Sequence, residues 1–241
     1  MSLHLYGVVR ADTELPEMDG VGDPPGGLRL VEVNGIAAIV SEADEDTLTE
    51  QDAVKHLDVL AGVAASLPVL PLRFGTVAPD EAAVRDEVLT PKAQDFQSQL
   101  SALESDVELR LDLTFDEEEA LRQVLGARPE IANRADGAGY DERIEIGEAI
   151  AAELQIWTQQ QGEQAITPLA AIAKRHVRLP ATAPNVDRWA FLVPRDRVAD
   201  VDEMVNQLRI GVAAEVQYVG PLPPYSFLEE AAPPATSRWG W

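Results

Sequence analysis

The stretch VELRLDLTF, Val107–Phe115, alternates apolar with charged or polar side chains. Successive side chains of a pleated strand point to opposite faces, so this pattern demands a strand that is dry on one side and wet on the other. A dry sheet face must be covered, and the residues that follow supply helices. Asp116 and Glu119 form a capping-box pattern, and the acids between them suit the positive end of a helix. Beyond a break at Arg134–Gly139, Ile146, Ile150, Leu154 and Trp157 recur at helical spacing, and Ile166, Leu169, Ile172 and Ala173 do so again. This predicts a helical hairpin across Ile144–Arg175 that can pack as an antiparallel coiled coil. Strands at His176–Leu179 and Trp189–Val193, a helix carrying Val198, Val201, Val205 and Leu208, and a strand at Ala214–Val219 complete the order. Strand, helices, strand, strand, helix, strand is the split βαβ plan of a ferredoxin-like domain with an enlarged first crossover.

The first hundred residues carry a shorter set. Leu3–Val9 reads as a strand, and MDGVGDPPGG, Met18–Gly27, breaks regular structure. Leu28–Val33 and Ile36–Val40 flank Asn34-Gly35, the pair that best supports a two-residue hairpin turn. Thr49 and Asp52 form a capping box for a helix with an apolar stripe of Val54, Leu57, Leu60, Ala64 and Leu67, which leaves His56 at the polar edge. Val69–Phe74 reads as a strand. Pro79 opens a helical stretch that Thr90-Pro91 interrupts, with Phe96, Leu100 and Leu103 on one face. These elements make a small antiparallel sheet covered by helices. The expected division is an α+β domain over residues 1–105, a ferredoxin-like domain with the helical hairpin over 106–230, and a mobile tail over 231–241 that ends in SRWGW.

Composition narrows the partners. Nineteen basic against forty-two acidic residues give a net charge of −23, a field that repels phosphate backbones and anionic lipid heads. Nucleic acid and membrane are therefore not expected partners. The acidity fits either a salty cytoplasm or the need to keep a self-associating protein in solution. With no cysteine, disulfides and thiolate metal sites are excluded and a reducing cytoplasm fits. No basic-then-apolar leader opens the chain, and no apolar run approaches the length of a membrane span.

Catalytic chemistry finds little support. GVGDPPG, Gly20–Gly26, imitates a nucleotide loop, but Pro25 replaces the third glycine and the prolines remove the amide donors a phosphate requires. His4, His56 and His176 lie far apart without ligand spacing, and no GxSxG elbow is present. The expectation is no enzyme, no cofactor and no metal.

Two blocks carry more information. LPLRFGT, Leu70–Thr76, follows a first strand with Leu5-Tyr6-Gly7, and GPLPPYSF, Gly220–Phe227, follows the last strand. In this order, with VELRLDL and the Ala190–Val193 strand between them, the chain resembles the gas-vesicle protein F/L family over nearly its whole length. The resemblance implies two α+β domains, both ferredoxin-like in modified form, the second with a coiled-coil helical pair. It also implies a cytoplasmic accessory protein of the gas vesicle that contacts the small apolar shell protein, and other accessory proteins with it, and assists nucleation or assembly. Two alternatives stay open: a ligand-binding regulatory module of ferredoxin-like type, and an enzyme of the dimeric α+β barrel kind.

Arg73 has five donors to satisfy, so it is expected to be mostly buried, bridging carbonyls or a carboxylate where the domains meet; a contact to the shell protein is the other reading. Phe74 is expected in the core, and Gly75 at a backbone turn. Gly220 and Pro221 mark where the chain leaves the last strand, because prolines cannot extend a sheet interior. Pro223, Pro224, Tyr225 and Phe227 then either fold back on their own core or offer a partner-binding edge.

Overall fold

The structure is a computed structural model that describes residues 2–43, 48–134 and 139–228. Asn34 and Gly35 adopt positive φ values of 49° and 79°, as the tight turn between two twisted strands requires, and they join β2 (Arg29–Val33) to β3 (Ile36–Ala43). β3 pairs antiparallel with β1 (Ser2–Arg10), and β1 pairs on its other side with the short β4 (Leu70–Pro71) and β5 (Val77–Ala78). The order β2-β3-β1-β4 is that of a ferredoxin-like sheet, with the first crossover helix replaced by the loop through Gly20–Gly26. That loop closes on itself, Gly20 N–H donating to the Gly26 carbonyl at 2.8 Å.

Helix α1 (Glu50–Ala64) starts at the predicted capping box, where Thr49 and Asp52 satisfy each other's backbone amides. Its buried face differs from the predicted stripe. Asp52, His56, Val59, Leu60, Val63 and Ala64 point inward, while Val54 and Leu57 are 60% and 54% exposed. The helical stretch after Pro79 forms in pieces: α2 (Glu81–Ala83), a wide turn over Val84–Leu89, a tight one at Thr90–Lys92, and α3 (Ala93–Ala102), which buries Phe96 and Leu100.

β6 (Asp106–Phe115) buries Leu109, Leu111, Leu113 and Phe115 and keeps Arg110, Asp112 and Thr114 partly wet, as the alternation predicts. Asp116 caps α4 (Glu117–Ala127), which α5 (Pro129–Arg134) follows. The predicted hairpin over Ile144–Arg175 is instead one 33-residue helix, α6 (Tyr140–Ile172), and the helix that packs along it is α4, through Ala120, Val124, Leu154 and Trp157. The reason lies at Gly162, between the two apolar stripes that suggested separate helices. A Cβ there would stand 1.8 Å from an Asp187 carboxylate oxygen, so the glycine admits a neighbour and the helix runs through it.

β7 (Arg175–Leu179), β8 (Val186–Pro194), α7 (Val198–Gly211) and β9 (Ala214–Leu222) finish the fold, and the second antiparallel sheet has the ferredoxin-like order β7-β8-β6-β9. The chain groups into two compact units, Met1–Glu108 with Gly220–Trp241, and Leu109–Val219. The segment from Gly220, expected in the second domain, thus groups with the first unit. The expected tail, 231–241, lies outside the described residues.

Candidate functional site

β1 holds both arms of the RFGT loop. Leu72 N–H donates to the Tyr6 carbonyl at 2.8 Å on the way out, and Leu5 N–H donates to the Thr76 carbonyl at 2.9 Å on the way back. Between them Thr76 donates to the Arg73 carbonyl through its amide and, at 2.7 Å, through its hydroxyl. Gly75 sits at φ +84° in the third place of this turn, a conformation that a side chain would strain. The predicted strand therefore ends at Pro71, and Gly75 has the turn role expected of it.

Arg73 departs from expectation. It is exposed, and its guanidinium has no ion pair or hydrogen bond among the described residues. The backbone alone fixes the loop, so no buried cation is needed. Phe74 also leaves the core: it is 38% exposed and lies over the rings of His4 and His56, at centroid distances of 5.5 and 5.7 Å.

Those two histidines form a buried pair that sequence reasoning missed. His56 is 1% exposed and donates from Nε2 to the Leu72 carbonyl at 3.1 Å, which leaves its Nδ1 as an acceptor. His4, wholly buried, must then donate from Nε2 to that Nδ1 at 2.9 Å, and its own Nδ1 keeps a lone pair with no partner. Burial pushes His4 down to about 3, assisted by the neighbouring His56, and burial also lowers His56. Both rings are neutral. Tyr6 completes the cluster, its hydroxyl bonded to Ser41 and accepting from Val21 N–H. A signal was present in the sequence: Asp52, His56 and Leu60 share one helical face, and the polar pair disguised it as a surface.

The proline-aromatic block folds back. Pro223 and Pro224 are buried, Phe227 is 4% exposed, and the half-buried Tyr225 packs against the core that contains Tyr6, Ile39 and Leu60. Pro221 and Leu222 still extend β9 and are half-buried. Ser226 secures the fold-back: its amide and hydroxyl donate to the two carboxylate oxygens of the fully buried Glu108, at 2.6 and 2.9 Å. Of the two readings of Tyr225 and Phe227, the geometry matches the one that closes their own core. Their missing amides stop Pro223 and Pro224 from continuing the sheet, and the apolar rings find cover on the nearest core.

In the second unit the buried Asp187 accepts from Arg178 Nε at 2.9 Å and from Trp189 Nε1 at 2.7 Å, while the Arg178 guanidinium lies 4.4 Å from the centre of the Trp189 ring. Burial pushes the Asp187 carboxyl up against these partners. No helix among the described residues is long and apolar enough to cross a membrane.

The strand order of both sheets, each closed by helices, defines a two-unit protein of ferredoxin-like α+β build. Comparison with known proteins narrows this further. The chain belongs to the gas vesicle synthesis protein GvpL/GvpF family, whose profile matches residues 2–229. It is 37% identical to gas vesicle protein F of Streptomyces sp. (strain CB03234), over 95% of this chain and 100% of the relative. It is 22% identical to gas vesicle protein F of Dolichospermum flosaquae, over 94% and 97% of the two chains. Its fold matches the crystal structure of GvpF from Microcystis aeruginosa with a TM-score of 0.80 at 20% identity, over 94% of this chain and 98% of that one.

Proposed function

We propose that the protein is a cytoplasmic accessory factor of gas-vesicle formation that binds the small apolar shell protein, keeps it soluble and assists its assembly, without catalysing a reaction. The observation that carries this reading is the Arg73–Thr76 turn. It presents an arginine and a phenylalanine to solvent on a loop whose two arms are bonded to one strand, so the tip has little freedom left to lose on binding. Arginine and aromatic side chains are the types that dominate binding energy at interfaces. Val54 and Leu57, three residues apart on α1, add apolar surface in the same unit. The charge of −23 around these contacts keeps the complex in solution while it shields an aggregation-prone subunit. Other gas-vesicle accessory proteins are further candidate partners. Arg73 takes the contact role in this reading, and Tyr225, Phe227, Pro223 and Pro224 support the unit from within.

The test is co-purification of the shell protein with the parent and with Arg73→Ser combined with Phe74→Ser. The variant should retain its melting temperature and recover at least about tenfold less shell protein. Undiminished recovery by a folded variant would remove the loop from the contact surface.

A further inference from the structure

The second unit contains a pocket of about 290 Å³ between the middle of α6 and the β7–β8 hairpin. Gln155, Thr158 and Gln159 line it from the helix, Arg178 and Asp187 from the strands. Thr158 is 1% exposed, yet its hydroxyl has no hydrogen-bond partner. A buried polar group left unpaired is costly, and the helix offers an easy remedy. Thr167, nine residues further along α6, uses it by donating to the Glu163 carbonyl at 3.1 Å. Thr158 does not.

The walls of this pocket are set by contact. Gly162 leaves no room beyond the Asp187 carboxylate, which seats the hairpin against the helix, and Arg178 adds a bond from Nη2 to the Gln159 carbonyl at 2.9 Å. Both Asp187 oxygens are engaged by Arg178 and Trp189. Among the side chains that line the pocket, the groups with unspent capacity are Arg178 Nη1, the Thr158 hydroxyl and the side-chain amides of Gln155 and Gln159, a set that both donates and accepts.

Charge selects among ligands. Arg178 stands 2.9 Å from Asp187 and 3.9 Å from Glu163, one cation against two carboxylates in a molecule of net charge −23. An anionic ligand would meet a negative field, and a cation would find the buried carboxylate already paired. We propose that the pocket binds a small uncharged polyol about the size of a single sugar ring. Hydroxyl groups donate and accept at once, as this lining requires, and the C–H face of such a ligand lies against Leu179 and Val186.

The experiment is calorimetric titration of the full chain with glucose and with myo-inositol, and with sodium acetate as the anionic arm. The parent should show saturable one-to-one binding of at least one polyol and none of acetate. Thr158→Val keeps the volume and removes only the hydroxyl, so it should fold and bind at least about tenfold more weakly. If that variant does not fold, Gln155→Ala on the exposed side of the helix takes its place with the same expectation. No saturation by either polyol up to about 100 mM, equal binding by the folded variant, or binding of acetate instead would overturn the proposal.

Discussion

Ser226 clasps Glu108 with two hydrogen bonds, one to each carboxylate oxygen, across 118 positions of sequence. Glu108 interrupts the alternation of β6 because the face that stays partly wet at Arg110, Asp112 and Thr114 is covered at the start of the strand, where Asp106 and Glu108 are both buried. Hydrogen bonds to a charged group contribute about 1.5–3 kcal/mol each, so Ser226→Ala, which removes one, should lower stability by roughly 2 kcal/mol. Glu108→Leu leaves both Ser226 donors unpaired and should cost more. Denaturant unfolding with unchanged slope checks both; a midpoint equal to the parent's would show that the clasp contributes nothing.

Phe227 buries its ring and Tyr225 half of its own in the first unit. The double change Tyr225→Ala with Phe227→Ala should therefore destabilise by at least about 3 kcal/mol, the scale of a truncated core phenylalanine. Any loss of the shell-protein binding proposed above would, in this variant, then follow from unfolding. Circular dichroism melting read beside co-purification separates the outcomes: a variant that melts with its parent and has lost only binding would restore these aromatics as direct contacts.

The neutral His4–His56 pair makes stability depend on pH. In the unfolded chain both imidazoles titrate near 6.5, whereas burial holds His4 down to about 3 and lowers His56 as well. The unfolded state binds protons that the folded state refuses. Stability is therefore complete above pH 6.5 and declines as pH falls, His4 alone accounting for about 2 kcal/mol by pH 5. Asp52, beside the pair, is held below its usual range chiefly by the Gly22 amide, so its contribution is lost only at lower pH. Unfolding free energies at high salt between pH 7.5 and 5 test this, salt screening the acidic surface. A flat profile, or ring proton shifts of His4 that titrate in this range, would contradict it.

Two glycines of α6 should respond in opposite ways to alanine. At Gly162 the added methyl meets Asp187 at 1.8 Å, whereas at Gly147 nothing lies within 4 Å. Gly147→Ala should stabilise by up to about 1 kcal/mol through helix propensity. Gly162→Ala should destabilise by about 3 kcal/mol or more, since helix and hairpin must separate around a buried carboxylate. Thermal unfolding of the two single variants decides it; equal shifts would mean that the close approach at Gly162 carries no energy.

Local chemistry was legible where neighbours in sequence are also neighbours in space. The Asn34-Gly35 turn, the Thr49–Asp52 box and the wet and dry faces of β6 all follow from residues within a few positions of each other. The illegible features depend on distant partners. His56 is buried because His4 and Leu72 receive it, and Gly162 continues a helix because Asp187 needs its space. Arg73 was misread for the same reason: two backbone bonds to β1 make the loop rigid, which removes the need for the buried ion pair that its side chain suggested.

Leu109–Val219 lies wholly between the two pieces of the first unit, and this sets an order of events during synthesis. The ribosome delivers β1 to α3 first, but that unit still lacks Phe227 and the Ser226 clasp. The inserted unit has every residue of its own by the time Val219 emerges, and β9 is complete three residues later at Leu222, so the later-made half can mature before the earlier one. Until the last residues arrive, the nascent chain carries an unfinished first unit with Glu108 unclasped, and a stop codon at position 220 would leave it so permanently.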